Sequence, residues 1–298
     1  MARALLIFNP TAARANPRVV RTVSRVLGAE GWDVDVVGTT RSEDAGRLAR
    51  EAVAQGVETV AVYGGDGTTM QAVRGIVGTG VTLGLVPGGT GNLLARNLRL
   101  PLDPARAARA MARGVPRPVD LGRITRPAGD QYFAVAAGAG FDAQVMGETT
   151  SAAKRRWKLA AYLGTAWQII LRDLVNVPCR VTVDGTVLDG DAATVLILNC
   201  PELFPPFLPV WHDVRPDDGV FDVLALRARN VVEGLGMVWQ LLVTKSGGNG
   251  AVMHARGRHV TVETDPARPV QFDGETGGET PFTAELLPGE LKVLVPRD

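Results

Sequence analysis

The chain has 298 residues and a mass of 31.5 kDa, and its 46% hydrophobic and 21% charged content excludes a disordered chain. Its net charge is only +1, but residues 1–126 hold 17 Lys/Arg against 10 Asp/Glu, whereas the remainder holds 15 against 21. Two cysteines, Cys179 and Cys200, are too few for a disulfide framework or a Cys-based zinc site, which leaves a reducing cytoplasm as the expected compartment.

The first hundred residues alternate between strand and helix signals. "ALLIFNP" is a buried strand stopped by Asn9-Pro10, "PRVVRTVSRVLGAEG" is helical with a stop at Gly31, and "WDVDVVGT" is a strand. "EDAGRLAREAVAQG" is helical, "ETVAVYGG" a strand, "TTMQAVRGIVG" helical and "VTLGLVPGG" a strand. Strands alternating with helices of this length imply right-handed crossovers and a doubly wound parallel sheet. The character changes near Pro116–Asp120. Beyond it come short strand-like segments, from "QYFAVAAGAG" to "LKVLVP", with "TVDGTV" as an Asp-Gly hairpin. Two helical stretches interrupt them, Lys154–Leu174 and "NVVEGLGMVWQLLV". The expected architecture is an α/β nucleotide-binding domain over residues 1–119 and a mainly antiparallel β domain over 120–298.

In an open parallel sheet, ligands bind at the carboxyl ends of strands near the switch in strand order. Three loops fall at such ends: Asn9–Arg14, Gly64–Thr68 and Pro87–Asn92. Glycine lets backbone N–H groups approach phosphate oxygens, and a following helix N-terminus adds a favourable dipole. Thr68, Thr90 and Asn92 add side-chain donors. Asp66 repels a bare phosphate and makes sense only with a cation between them, which points to Mg²⁺ with a nucleoside triphosphate. The spacing excludes a Walker loop. It also lacks the third glycine of a dinucleotide fingerprint, since Met70 stands there.

"NPTA", "GGDGT", "PGGTGN" and the late "FDGE" together resemble the diacylglycerol-kinase catalytic family of lipid kinases, whose superfamily includes sphingosine kinases, NAD kinases and phosphofructokinases. The match runs from about residue 3 to about residue 296. The resemblance implies ATP between the two domains and Mg²⁺ at its phosphates. It implies nucleotide contacts at Asn9, Pro10, Thr11, Ala12, Ala13, Thr39 or its neighbour Thr40, Gly64, Gly65, Asp66, Gly67, Thr68, Thr69, Met70, Gln71, Gly89, Thr90 and Asn92. Arg14 and Arg96 are the candidate phosphate cations, with forked donors suited to the task.

"PVQFDGETGG" places Asp273 and Glu275 two residues apart, and in a strand such residues face one side. The resemblance assigns the general base to Glu275, with Asp273 in support. It also implies a structural Mg²⁺ in "VRPDDGVFDV", held by Asp218 and the carbonyls of Arg215 and Val220; a plain β-turn is the other reading. Asp120 reads either as a site acid or as hinge structure. The small residues of Ala134–Val145 either leave room for an acyl chain or pack the sheet tightly. His212, His254 and His259 lack metal-ligand spacing and read as surface or core residues.

Three positions depart from the family pattern: Ala13 where Gly is usual, Leu93 where Asp is frequent, and His212-Asp213-Val214 where Pro-x-Ala is usual. A stiffer first loop, a missing accessory carboxylate and a weaker second metal site are the expected consequences.

The apolar stretches are shorter than the roughly 18–20 residues of a membrane span, and "MARALLIFNP" has too short a core for a secretory signal. The expected partner is a lipid at the membrane surface, not a nucleic acid, met transiently at the inner face. Lys154–Leu174, with four cations around Trp157, is either an interfacial helix or a core helix, and Phe204, Phe207 and Trp211 form a second candidate insertion loop. The reading is therefore an ATP- and Mg²⁺-dependent lipid kinase of the diacylglycerol-kinase type. The rivals are an NAD-kinase-like enzyme acting on a soluble hydroxyl and a non-catalytic lipid- or nucleotide-binding regulator.

Overall fold

The computed structural model describes residues 3–41, 43–126, 129–140, 175–203, 209–227, 233 and 252–297. The chain forms two compact units, Met1–Leu121 with Pro288–Asp298, and Gly122–Leu287. The expected helices at Lys154–Leu174 and 230–243 lie outside the described residues apart from Glu233, as do Phe204, Phe207 and residues 141–145.

In the first unit the strand and helix signals alternate as read. They give β1 (Arg3–Phe8), α1 (Pro17–Ala29), β2 (Asp33–Gly38), α2 (Asp44–Ala54), β3 (Thr59–Gly64), α3 (Asp66–Ile76) and β4 (Thr82–Pro87). There follow α4 (Leu93–Asn97), α5 (Pro104–Ala112) and β5 (Val115–Ile124), the last passing into the second unit. Helix α1 begins where Asn16 accepts the Arg18 amide at 2.8 Å and Pro17 presets the first turn. It buries Val20, Val23 and Leu27 against Leu6, Tyr63 and Met111. The strand order β2-β1-β3-β4 is parallel throughout, so the order reverses between β1 and β3. Asn9 and Gly64 therefore end the two strands that flank the switch point. Asp66 lies not in a loop, as expected, but in the first turn of α3.

The second unit is a β-sandwich. One sheet runs β12 (Val252–Gly257), β11 (Phe221–Leu226), β10 (Thr194–Leu198), β7 (Ala136–Gly140), β14 (Pro269–Phe272) and β15 (Glu275–Glu279), all antiparallel. The other joins β9 (Thr186–Ala192), β8 (Val177–Val183), β13 (His259–Thr264) and the first part of β16 (Phe282–Val295), with β6 (Gln131–Phe133) on β5. Alternating residues such as Cys179, Val181 and Val183 pack against Ile197, Phe221, Val223 and Phe272, and Phe133 stacks on Phe221 at 5.4 Å. The predicted Asp184-Gly185 hairpin is present, with φ of 47° and 86°. Strand β16 then returns to the first unit, where Lys292 and Val293 pair parallel with β4. Asp120 accepts the Gly289 amide at 2.7 Å, which favours the hinge over the site among its two readings.

Helices α2 and α3 lie so close that a Cβ on Gly75 would stand 2.5 Å from the Gly46 carbonyl oxygen and 2.7 Å from the Ala49 Cβ. Helix propensity alone favours Gly75→Ala by about 1 kcal/mol, but overpacking of this kind costs about 1–3 kcal/mol. Gly75→Ala is expected to lower the midpoint of urea unfolding; an unchanged or raised midpoint would show that the helices can part freely.

Candidate active site

The three predicted loops of the first unit converge on one another. The Asn9 side chain donates to Thr68 Oγ1 at 2.9 Å and accepts the Thr11 amide at 2.9 Å and its hydroxyl at 2.8 Å. The Arg14 amide donates to the Gly88 carbonyl at 3.0 Å, and the Gly88 amide to the Gly64 carbonyl at 2.8 Å. The Tyr63 hydroxyl donates to the Arg14 carbonyl at 2.6 Å. A Cβ on Gly89 would lie 2.5 Å from the Gly65 Cα, so bare backbone at these loops is needed for them to touch one another.

Asp66 is the staple. Its Oδ2 accepts the Asn92 amide at 2.8 Å and its Oδ1 the Leu93 amide at 2.6 Å. Those are the opening amides of α4, whose N-cap Asn92 stands at φ 52° and makes no side-chain cap of its own. Asn92 instead exchanges two hydrogen bonds with Gly89, at 2.8 and 3.0 Å. Asp66 thus caps a neighbouring helix. Burial pushes its carboxyl up from the usual range, against the pull of the Leu93 and Asn92 amides and of Arg96.

Helix α3 itself stays open. Its N-cap is Gly65, and no side chain caps it. The first amide to enter its ladder is Thr69, bonded to the Gly65 carbonyl at 3.0 Å. The amide-lined positive end of an 11-residue helix therefore stands at the switch point, beside Asn9. Among the other predicted contacts, Pro10, Ala13, Arg14 and Thr90 are exposed and Ala12 is half-buried, whereas Thr69 and Met70 are buried in the unit and Gln71 is half-buried. Thr39 is buried, its amide donating to the Phe8 carbonyl at 2.9 Å. Asp44 pins the next residues through the Thr40 and Arg41 amides and the Thr40 hydroxyl, at 2.7–2.9 Å, and these bonds hold its carboxyl well below the usual range. Arg96 donates from Nε to the Gly91 carbonyl at 2.8 Å.

In the second unit Asp273 differs from its expected place. It is not in a strand beside Glu275 but in the two-residue turn between β14 and β15, with φ of 48° at Asp273 and 85° at Gly274. The same-side argument therefore fails. Its carboxylate accepts three amides: Ala134 at 2.7 Å, Val135 at 2.9 Å and Ala136 at 3.0 Å. Buried Asn199 completes the arrangement by donating to the Ala134 carbonyl at 2.8 Å. Glu275, half-buried, follows as the first residue of β15. Tyr63, Asp44 and Asn199 were absent from the sequence reading; the one signal for them was a polar atom in an apolar strand or at a helix start, where burial demands a partner.

The predicted structural metal turn carries a different cation. Asp218 Oδ2 accepts Arg256 Nη2, its Oδ1 takes the Val220 amide at 3.3 Å, and Arg256 Nε reaches Asp222 at 3.3 Å. Arg215 approaches Asp217 instead, at 3.8 Å. The Arg256 guanidinium thus already supplies a positive charge at the one carboxylate of the expected Mg²⁺ turn. Among the described residues no three His, Cys, Asp or Glu side chains cluster as metal ligands. Trp211 is buried with its ring 5.1 Å from that of His254, which pairs with Asp222 at 2.7 Å, so Trp211 is withdrawn from the candidate insertion loop. His259 sits at the surface near Asp184 and Glu285.

Comparison with known proteins places the chain in a family. Residues 3–124 match the family described as the diacylglycerol kinase catalytic domain, and residues 135–295 the YegS C-terminal NAD kinase beta sandwich-like domain. The chain is 31% identical to the "Probable lipid kinase YegS-like" of Pseudomonas putida over 93% of this chain and 90% of that one. It is 28% identical to the diacylglycerol kinase of Staphylococcus carnosus over 99% and 96%. A crystal structure of a diacylglycerol kinase from Bacillus anthracis str. Sterne shares the fold, with a TM-score of 0.78 at 23% identity over 99% of this chain and 97% of that one.

Two outcomes follow. Asp273→Ala leaves three amides without their acceptor and should cost about 3 kcal/mol or more in chemical unfolding, with Asp273→Asn intermediate. Equal stability of wild type and Asp273→Ala would remove the anchoring role. EDTA should leave the melting temperature of the nucleotide-free protein unchanged, because Arg256 already serves Asp218; a drop reversed by Mg²⁺ would restore the metal.

Proposed function

We propose that this chain, which belongs to the diacylglycerol kinase and YegS-like family of lipid kinases, uses ATP as donor and a lipid hydroxyl of the diacylglycerol type as acceptor. The observation that carries the reading is the uncapped N-terminus of α3 at the switch point, ringed by Asn9, Thr68 and the Gly88–Gly89 backbone. Such an end offers N–H groups and a positive dipole to the triphosphate oxygens. Arg14, exposed on the first loop, adds a forked cation.

Asp66 fits a cation as well as its two amides. Each carboxylate oxygen takes one amide and has capacity for a further partner. Mg²⁺ bound with the nucleotide would neutralise charge building on the transferred group. The chain's own part is to hold the phosphates in line and to take a proton. Glu275 is the proposed base. As the acceptor oxygen bonds to the γ-phosphorus, its proton passes to the Glu275 carboxylate, the bond to the β,γ-bridging oxygen breaks, and ADP leaves with that electron pair. Asp273 positions Glu275 by fixing the turn before it.

The likeness of residues 135–295 to an NAD kinase sandwich favours a second reading, a soluble hydroxyl as acceptor. One assay separates them: labelled ATP and Mg²⁺ with a panel of lipids in mixed micelles, and with NAD. Labelled lipid is the expected result, and labelled NAD without labelled lipid would overturn it. Glu275→Gln should lower turnover by about 10²- to 10⁴-fold with ATP affinity nearly unchanged. Equal loss of both would show that Glu275 supports binding, not proton transfer.

A further inference from the structure

Helix α5 has one buried face, Ala107, Ala108 and Met111, packed into the first unit. Its outer face and cap carry Arg106, Arg109 and Arg113, all exposed, at spacings of three and four that place them side by side. With Ala110, Pro296 and Arg297 they line an open depression of about 430 Å³. Four guanidinium groups thus share one hollow that lies on a single unit.

Ordinary helix electrostatics explains only part of this. Arg109 and Arg113 lie in the last turn and at the C-cap, where cations suit the dipole. Glu30 pairs with Arg113 at 2.7 Å and attracts Arg109 through space. Arg106 is different. It sits in the first turn, the positive end, where a cation is disfavoured. The Arg106 amide donates to the N-cap carboxylate of Asp103 at 2.9 Å, but among the described residues no ion pair is seen for the guanidinium of Arg106 or of Arg297. Like charges at these spacings repel one another and weaken the helix unless an anion from outside gathers them.

We propose that this depression docks the phosphate headgroups of an anionic bilayer. The span from Arg106 to Arg113 is roughly 10 Å along the helix, the size of one or two headgroups and far short of a duplex track. Ala110 and Pro296 provide an apolar floor suited to the glycerol region. A chain of net charge +1 has no general attraction for polyanions, so the binding is local. The forked donors grip phosphate oxygens in pairs. The patch brings the enzyme to the surface where a lipid acceptor resides; it takes no part in turnover.

The test is sedimentation of the full chain, without nucleotide, with vesicles of phosphatidylcholine alone or mixed with phosphatidylglycerol. Wild type should partition onto the mixed vesicles only, and less so as salt rises. At roughly fivefold per arginine, the triple variant Arg106→Gln, Arg109→Gln, Arg297→Gln should bind roughly 100-fold less. Its melting temperature should be unchanged or slightly raised, since repulsion on α5 is relieved, and its activity on micellar lipid should persist. Triple-variant binding within about twofold of wild type, or equal wild-type binding to both vesicles, would overturn the proposal. So would a duplex DNA that binds through the same arginines while vesicles do not. Asp66→Asn should still bind vesicles, so a failed kinase assay and a failed docking assay strike different claims.

Discussion

Two hydrogen bonds, from the Asn92 and Leu93 amides to the Asp66 carboxylate, tie the first turn of α3 to the start of α4. Helix α4 has five residues and could not stand alone, because so short a helix does not recover the cost of its first turn. The buried acid supplies what that helix lacks. Asp66 turns its carboxylate toward α4, and its own helix, α3, starts at Gly65 with no side-chain cap. One side chain closes one helix end while the adjacent end has no side-chain cap, and the proposed nucleotide site depends on that choice.

The second unit uses a carboxylate in the same way. Asp273 gathers the amides of Ala134, Val135 and Ala136 and fixes the turn between β14 and β15. Glu275 owes its position to that anchor. In both units the acid beside a glycine organises backbone. The lipid-kinase relatives, at 28% and 31% identity, match this chain over nearly its whole length.

Much of this was legible. The parallel alternation of the first unit, the glycine loops at strand ends and the Asp184-Gly185 hairpin follow from periodicity and turn chemistry within a few neighbouring residues. The side-chain roles were less so. Asp273 was read as facing with Glu275 because the pair is spaced as in a strand, yet Asp-Gly takes positive φ at both residues and forms the turn instead. Arg256 stands 38 residues from Asp218 in the chain, and no local pattern announces that they meet. Trp211 reads as an exposed loop aromatic until His254 is seen beside it.

By itself the sequence determined the fold class, the order of elements in the first unit and the glycine loops where backbone comes close to backbone, because hydrophobic period, glycine and capping residues act over a few neighbouring positions. Only the tertiary structure decided which partner each carboxylate serves, that Arg256 pairs with Asp218, and that β16 returns to pair with β4. Those outcomes depend on groups brought together from distant parts of the chain. A buried charge or amide takes the partner that packing brings within about 3 Å, and that choice is made only as the core closes.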